Sequence, residues 1–469
     1  MSAEEGTVEI SQGGLMDNKL SFLQDIIGKD ISRRNFLKYT GYTGLTTLGA
    51  GSLLAACGGS DAQQSAGPAP KGSKVAGNLT LVYMGDASSK KAWDSLFALF
   101  SKDYPDVKFT AKAIPSANWA AFFDTVSTQI AGGQNYDIIQ VATEGQRLFA
   151  SRGLVEPIDA YIARDKDEID EFYSDIHPNL VKWNKEHSSP DGKTYYLPGE
   201  FNTMCMWYNS EMFKQAGVDE PSDDWKWNDF LAASQKITKP GQVFGMSVTP
   251  EYFVGIMPWL LTNGASTLSA DWKQSTVNSP AAIEAAKFMR ELVAKKISPL
   301  PGGTFDAISA MSQGKLAMFG GGRWPVLNVR KFNLVDKVKI VPWPQKTQKG
   351  SPIGWNAYPI MKASQNKEAA WAFVKFITTK KASEYFAQQG GTIVPPRKSV
   401  ATSDAFLANA PKGSEKLYEA LDYATPIPSP DKGSVIQKAI EDTWKQILAG
   451  NTPAEQALAQ LDQTIKANL

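Results

Sequence analysis

Residues 78–142 read NLTLVYMGDASSKKAWDSLFALFSKDYPDVKFTAKAIPSANWAAFFDTVSTQIAGGQNYDIIQVA, and two alternating periodicities within them decide the fold class. The run 78–84 is rich in β-formers and ends at a Gly85-Asp86 turn. Trp93, Leu96, Phe97 and Phe100 follow at i, i+3, i+4 and i+7, the spacing of a helix that buries one face. Tyr104-Pro105-Asp106 ends that helix, and 107–114 reads as a second strand. Trp119, Phe122, Phe123, Val126 and Ile130 mark a second amphipathic helix, stopped at Gly132-Gly133. Residues 136–142 are then a third, buried strand. Strands that alternate with helices predict an α/β fold with crossover connections. Ligands of such sheets meet the loops at the carboxyl ends of strands. Those loops are 84–89 and 143–146, which makes Asp86 and Glu144 candidate polar contacts.

Upstream, Arg33 and Arg34 with Phe36-Leu37-Lys38 precede 18 uncharged residues, 39–56, and then Cys57. The run is diluted by Gly and Thr, whereas a membrane span wants about 20 strongly apolar residues. It reads as an export signal with a charged start and a small-residue processing site. The paired arginines resemble a twin-arginine signal. Leu54-Ala55-Ala56-Cys57 resembles a bacterial lipobox, with Cys57 the lipidated first residue of the mature chain. Several acyl chains are needed for a stable anchor, since one binds only marginally. The expectation is a signal peptide over 1–56 and a lipid-anchored protein working outside the cytoplasm, on the outer face of the cell membrane or in the periplasm. Residues 57–77 are Gly, Ser, Pro and Ala with few apolar side chains, the composition of a flexible tether.

Downstream, 194–209 is extended and apolar, interrupted by Pro198-Gly199. Residues 211–216 read as a helix with Gly217 as its cap. Trp225, Trp227, Phe230 and Leu231 belong to a helical stretch, with Asp223-Asp224 as its caps, and 244–246 to a strand. The apolar segment 256–261 contains Trp259. Ser279-Pro280 opens a helix. A short helix over 305–312 and a strand over 315–319 lead into Gly320-Gly321-Gly322-Arg323-Trp324. Three glycines after a strand let backbone approach a ligand closely. No Gly-Lys-Ser/Thr follows them, so they make no Walker loop. Arg323 and Trp324 stand at a strand end, and Trp324 is the strongest candidate for stacking on a ligand. Residues 338–343 read as a strand and 344–354 as a polar loop, followed by Trp355 and Asn356. Later come helices around 369–377 and 385–386, an extended 392–396, and a helical remainder in which Thr452-Pro453-Ala454-Glu455 reads as a capping box.

After processing, 413 of the 469 residues remain, too many for one small core, which implies two lobes or domains. A net charge of +1 argues against nucleic acid as the target. With Cys57 claimed by the lipobox, Cys205 has no partner and reads as a buried, inert thiol. His177 and His187 have no metal-ligand spacing, and no Gly-x-Ser-x-Gly elbow occurs. A glycosidase needs two carboxyl groups across a cleft, and nothing singles out a pair. The inventory leans toward binding without turnover, with no cofactor and no metal.

The order of these segments resembles the family 1 extracellular solute-binding proteins of bacterial ABC importers, the maltose-binding type. The matches are the lipobox and tether, 136–139, Arg152-Gly153-Leu154-Val155-Glu156-Pro157-Ile158, Tyr195-Tyr196-Leu197-Pro198, Trp207-Tyr208-Asn209, 213–217, 313–318 and 368–374. The resemblance implies a two-lobed periplasmic-binding-protein type II fold, each lobe a mixed sheet flanked by helices. Lobe 1 would combine 78–196 with 345–392, and lobe 2 197–344 with 393–469. The crossings would be 197–202, 341–353 and 391–396. By position in the family pattern, Glu144 falls at an acidic sugar contact, Asn202 at a polar contact just past the crossing, and Trp324 at a stacking aromatic. The family's acidic residue at the crossing stands two places early, at Glu200. Asp86, Glu144, Glu200, Asn202, Trp259, Arg323, Trp324, Trp355 and Asn356 are thus the candidate ligand-binding residues. The implied protein is a monomeric receptor that closes on a sugar or oligosaccharide and delivers it to a permease. The alternatives are another polar solute, such as glycerol phosphate, or a lipid-anchored carbohydrate-active enzyme.

Overall fold

Three small sheets carry the chain. In the computed structural model, residues 67–469 are described except 86, 117, 303–304 and 389–392. The signal expected over 1–56, with Arg33 and Arg34, and the lipidation site Cys57 lie outside the described residues. In the first sheet β1 (Gly77–Met84) lies between β2 (Val107–Ile114) and β3 (Ile138–Ile139), all parallel. Helix Ala87–Asp103 connects β1 to β2, and Trp119–Ala131 follows β2. The periodic face Trp93, Leu96, Phe97 and Phe100 is buried as its spacing predicts. Each such side chain contributes roughly 1.5–3 kcal/mol by leaving water. Asn118 caps the second helix by accepting from the Ala121 amide at 3.0 Å.

The run 136–142, expected as one strand, is broken at Gln140. Its first half pairs with β1; its second half, β4 (Val141–Ala142), pairs antiparallel with β10 (Ser351–Ala357). At the break the Gln140 amide still donates to Val82 O of β1 at 2.8 Å, and its side-chain Oε1 accepts from the Met84 amide at 3.1 Å. β10 takes in the last four residues, 351–354, of what reads as a polar loop. Its neighbours are β5 (Phe201–Thr203), antiparallel, and β11 (Ala424–Pro426), parallel. One strand thus meets segments from three distant parts of the chain. Its side chains are mostly buried on both faces, so the alternation that flags a half-buried strand is missing.

The third sheet has the order β7 (Phe244–Ser247), β8 (Leu316–Gly321), β6 (Cys205–Asn209) and β9 (Val338–Val341). Helices Trp227–Ile237, Met257–Thr262, Pro280–Ala294, Gly433–Ala449 and Ala454–Lys466 contribute to the core beside it. The molecule is therefore two mixed α/β lobes, each a sheet flanked by helices, with β5 and β10 running between them. Residues 397–422 grip both sides. Arg397 pairs with Glu171 and Asp175, and the Lys398 amide donates to Asp175 O at 2.7 Å. Toward the other side, Thr203 Oγ1 donates to Leu417 O, and the Ile340 amide to Lys412 O at 2.8 Å.

Three local expectations are corrected. The last helix takes no side-chain cap from Thr452; Glu455 instead pairs with Lys287. Asp223 and Asp224 do not cap the helix after them. They are drawn off by Lys416 and Lys349, and Asp229 accepts from the Lys226 amide at 2.8 Å. The tether is fixed at its far end: the Ala69 amide donates to Glu368 at 2.7 Å, and Ala69 O accepts from Arg164 at 2.7 Å. Cys205 is free and buried, and burial pushes its thiol far up.

Candidate functional site

Between the two sheets that end each lobe lies a cavity of about 600 Å3. Met84, Asn118, Trp119, Ala142 and Glu144 line it from the first lobe. Glu200, Asn202, Gly354, Asn356 and Ile393 form the crossing floor, and 251–254, Trp324, Gln437 and Glu441 the opposite wall. The lobes also touch beside it. Arg147 Nε meets Asp431 at 3.2 Å, and the His187 ring stacks on Trp272 with centroids 4.1 Å apart.

The floor is built by close backbone approach. The Gly199 amide donates to Asn356 O at 2.8 Å, and a Cβ on Gly199 would sit 2.7 Å from that oxygen. The Asn356 amide in turn donates to Glu200 O at 2.8 Å. Pro198-Gly199 is thus what lets the first crossing lie against β10. Glu200 is then fixed by its side chain. Its Oε1 accepts from Tyr358 OH, in a short hydrogen bond, and from Asn356 Nδ2 at 3.3 Å. Gln140 Nε2 donates to Tyr358 OH at 3.2 Å, which ties the carboxylate back to the end of β1. Glu200 Oε2 accepts nothing from the described residues. Burial raises the Glu200 carboxyl above its ordinary range, against the lowering pull of Tyr358 and Asn356.

Glu144 lies in the first turn of helix Thr143–Ser151 rather than in the loop its sequence predicts. A helix N-terminus favours an anion, yet burial outweighs it here. Its carboxyl is pushed up to about 7. It is uncharged about half of the time near neutrality and can then donate as well as accept.

Trp324 is 37% exposed, on the loop after β8. Two groups aim it. Asn202 Oδ1 accepts from the Arg323 amide at 2.8 Å, and the indole lies over Gly322, where a Cβ would meet it at 2.4 Å. The glycine run is corrected on this point. A Cβ on Gly320 would meet the Trp343 ring at 2.4 Å, so these glycines make room for tryptophans of the chain itself.

The structure brings Glu144, Glu200, Asn202, Trp324 and Asn356 to one cavity, and Asp86 lies outside the described residues. Three candidates are elsewhere. Trp259 is fully buried among Trp227, Phe230, Phe288 and Trp343, in the core of the second lobe. Trp355 points away from the floor and donates to Asn184 Oδ1 at 3.2 Å. Arg323 is 1% exposed: Nη2 donates to Phe406 O at 2.8 Å, Nη1 to Ser414 Oγ at 3.3 Å, and the guanidinium lies over the Phe406 ring. Burial away from any carboxylate lowers it to about 9. Adjacent residues on a strand face opposite ways, which is why Trp355 misses the cavity that Asn356 lines, whereas Arg323 and Trp324 part at the turn after β8.

Sequence reasoning missed Trp119, Glu251, Phe253 and Glu441. Trp119 reads as one more apolar position of its helix, and only its place at the first turn, after the Asn118 cap, marks it as a rim residue. Glu251 precedes a π-helical turn, Tyr252–Ile256, and nothing in the local sequence announces that turn.

Comparison with known proteins agrees with this geometry. Residues 86–384 match the family described as bacterial extracellular solute-binding protein. A binding protein of Brucella abortus (strain 2308) is 26% identical over 324 residues, covering 66% of this chain and 74% of its own. The maltotriose-binding protein of Pyrococcus abyssi is 24% identical over 388 residues, 79% of this chain and 78% of its own. An ABC substrate-binding protein of Listeria monocytogenes, solved in complex with cycloalternan, superposes with a TM-score of 0.73 at 25% identity, covering 83% of this chain and 98% of that one.

Proposed function

Since the chain belongs to the bacterial extracellular solute-binding proteins, we propose that it is the receptor of an ABC importer that captures a sugar or oligosaccharide between its lobes. Membership makes it a binding protein rather than an enzyme. The observation that carries the sugar reading is the make-up of the cavity. Indole rings of Trp119 and Trp324 stand on opposite walls, with Glu144 beside Trp119 on the first-lobe wall and Glu200, Asn202 and Asn356 at the floor. Rings cover the apolar faces of a pyranose, and carboxylates and amides bind its hydroxyls. The relatives named for maltotriose and cycloalternan support the same class. An anionic solute such as glycerol phosphate is disfavoured, because no Lys, Arg or His lines the cavity among the described residues.

In this reading the lobes close by bending at the crossings 197–202, 341–353 and 391–396, and a permease accepts the closed form. The division into 78–196 with 345–392 and 197–344 with 393–469 belongs to the same proposal. So do export through Arg33 and Arg34, and anchoring through lipid on Cys57. Among the described residues no helix is long and apolar enough to cross a membrane, which leaves the anchor to the amino-terminal segment. The test is a thermal-shift screen of neutral mono- and oligosaccharides. A ligand at a hundred times its Kd stabilises the native state by about 2.7 kcal/mol. A melting point moved by a saccharide supports the reading; one moved only by phosphorylated or peptidic solutes refutes it.

A further inference from the structure

The cavity is strongly one-sided in charge. Glu144, Glu200, Glu251 and Glu441 line it, no cationic side chain does, and none of the four forms an ion pair with a described residue. Arg147, one turn along the helix from Glu144, is turned away to Asp431 and to Ser189 O, and the Arg323 guanidinium is buried against Phe406. Several of the cavity's acceptors are held in place by hydrogen bonds. Glu441 Oε1 accepts from the Tyr252 amide at 3.2 Å and from Gln437 Nε2 at 3.1 Å, so its second oxygen is oriented and uncommitted among the described residues. Glu200 also keeps one oxygen free. Asn356 is 6% exposed, its Nδ2 is committed to Glu200, and its Oδ1 is left as an unused acceptor beside the cavity. Glu251 adjoins Tyr252 and therefore stands beside Glu441, with the Phe253 and Trp324 rings on the same wall. Oriented acceptors on Glu200, Glu441 and Asn356 thus face a cavity whose described lining has no cationic donor. An ammonium brings three donors and no acceptor, relieves the repulsion between neighbouring carboxylates, and is held by aromatic faces.

We propose that the cleft selects its saccharide by charge, taking a sugar that carries a basic nitrogen and seating its ammonium between Glu251 and Glu441. This rests on the saccharide-receptor reading above and adds the chemical class. The full chain is titrated calorimetrically with three trisaccharides: glucosamine trimer, which carries three amines, neutral maltotriose, and galacturonic acid trimer, which carries three carboxylates. The expected result is glucosamine trimer binding at least about ten-fold more tightly than maltotriose, with no galacturonic acid binding. Glu251→Gln combined with Glu441→Gln should shrink that preference to within about two-fold. Maltotriose binding as tightly as glucosamine trimer overturns the charge selection and leaves the saccharide reading standing. A preference that survives both substitutions overturns the assigned seat. Binding of none of the three overturns this inference, while the saccharide reading is decided by the broader thermal-shift screen.

Discussion

At the scale of the residue, the cavity separates tryptophans that look alike in sequence. Trp324 is half-exposed over the cleft, whereas Trp259 is fully buried in a cluster of rings. Trp324→Ala should therefore lose roughly ten- to a hundred-fold in ligand affinity with about 1 kcal/mol or less of stability. Trp259→Ala should cost about 3–5 kcal/mol of folding stability by opening a cavity. Calorimetric titration and denaturant unfolding of both variants check this, and equal losses of affinity would contradict it. Glu144 supplies a prediction in pH. Its carboxyl titrates near 7 when folded and near 4.5 when free. Between those values the native state holds a proton that the unfolded chain has released, so stability falls as pH rises through that window. Glu144→Gln has no such penalty. Above pH 7 the ligand-free variant should be more stable than the parent by up to roughly 2–3 kcal/mol, and below pH 4.5 the two should converge. A difference independent of pH would contradict the assignment. Residue type and position in a strand–loop pattern were enough to find Glu144, Asn202 and Trp324. They could not separate Arg323 from Trp324 or Trp355 from Asn356, because which neighbour faces the cleft is set by pairing with segments far away in the chain.

At the scale of the element, the floor of the site depends on a chain of hydrogen bonds through Gln140, Tyr358 and Glu200. Tyr358 holds one oxygen of Glu200 and lowers a carboxyl that burial raises. Tyr358→Phe removes that hold. Binding should weaken about ten-fold, and the fall of affinity on acidification should begin at a higher pH than in the parent. Calorimetry across pH checks it: weakened binding with an unmoved pH profile would reduce Tyr358 to a packing role. The helices of 87–131 were legible because each buries one face and shows its period, and β1, buried on both faces, because its β-formers run into a turn. β10 was not, since it is buried on both faces and begins in a polar stretch. Capping at 223–224 and 452–455 was misread for another reason. Lysines distant in sequence pair with those carboxylates, and local pattern carries no record of them.

At the scale of the whole molecule, two lobes share a narrow floor and touch again at Arg147–Asp431 and His187–Trp272. The Arg147–Asp431 pair can break without disturbing either lobe's core, and Asp431 is exposed enough for it to be worth about 1 kcal/mol or less, whereas parting at His187 uncovers Trp272, a buried member of the second lobe's core. The narrow floor permits hinge motion, and a solute that meets both walls supplies the bias toward closure. The number of lobes was legible from length and segment order. How 397–422 straps them together was not, because short helices and turns have no period to read. The measurement that bears most directly on the account is small-angle X-ray scattering of the protein with and without a saturating saccharide found in the thermal-shift screen. The account predicts a smaller radius of gyration on binding, with the saccharide recovered unaltered. Superimposable curves at saturation would contradict it.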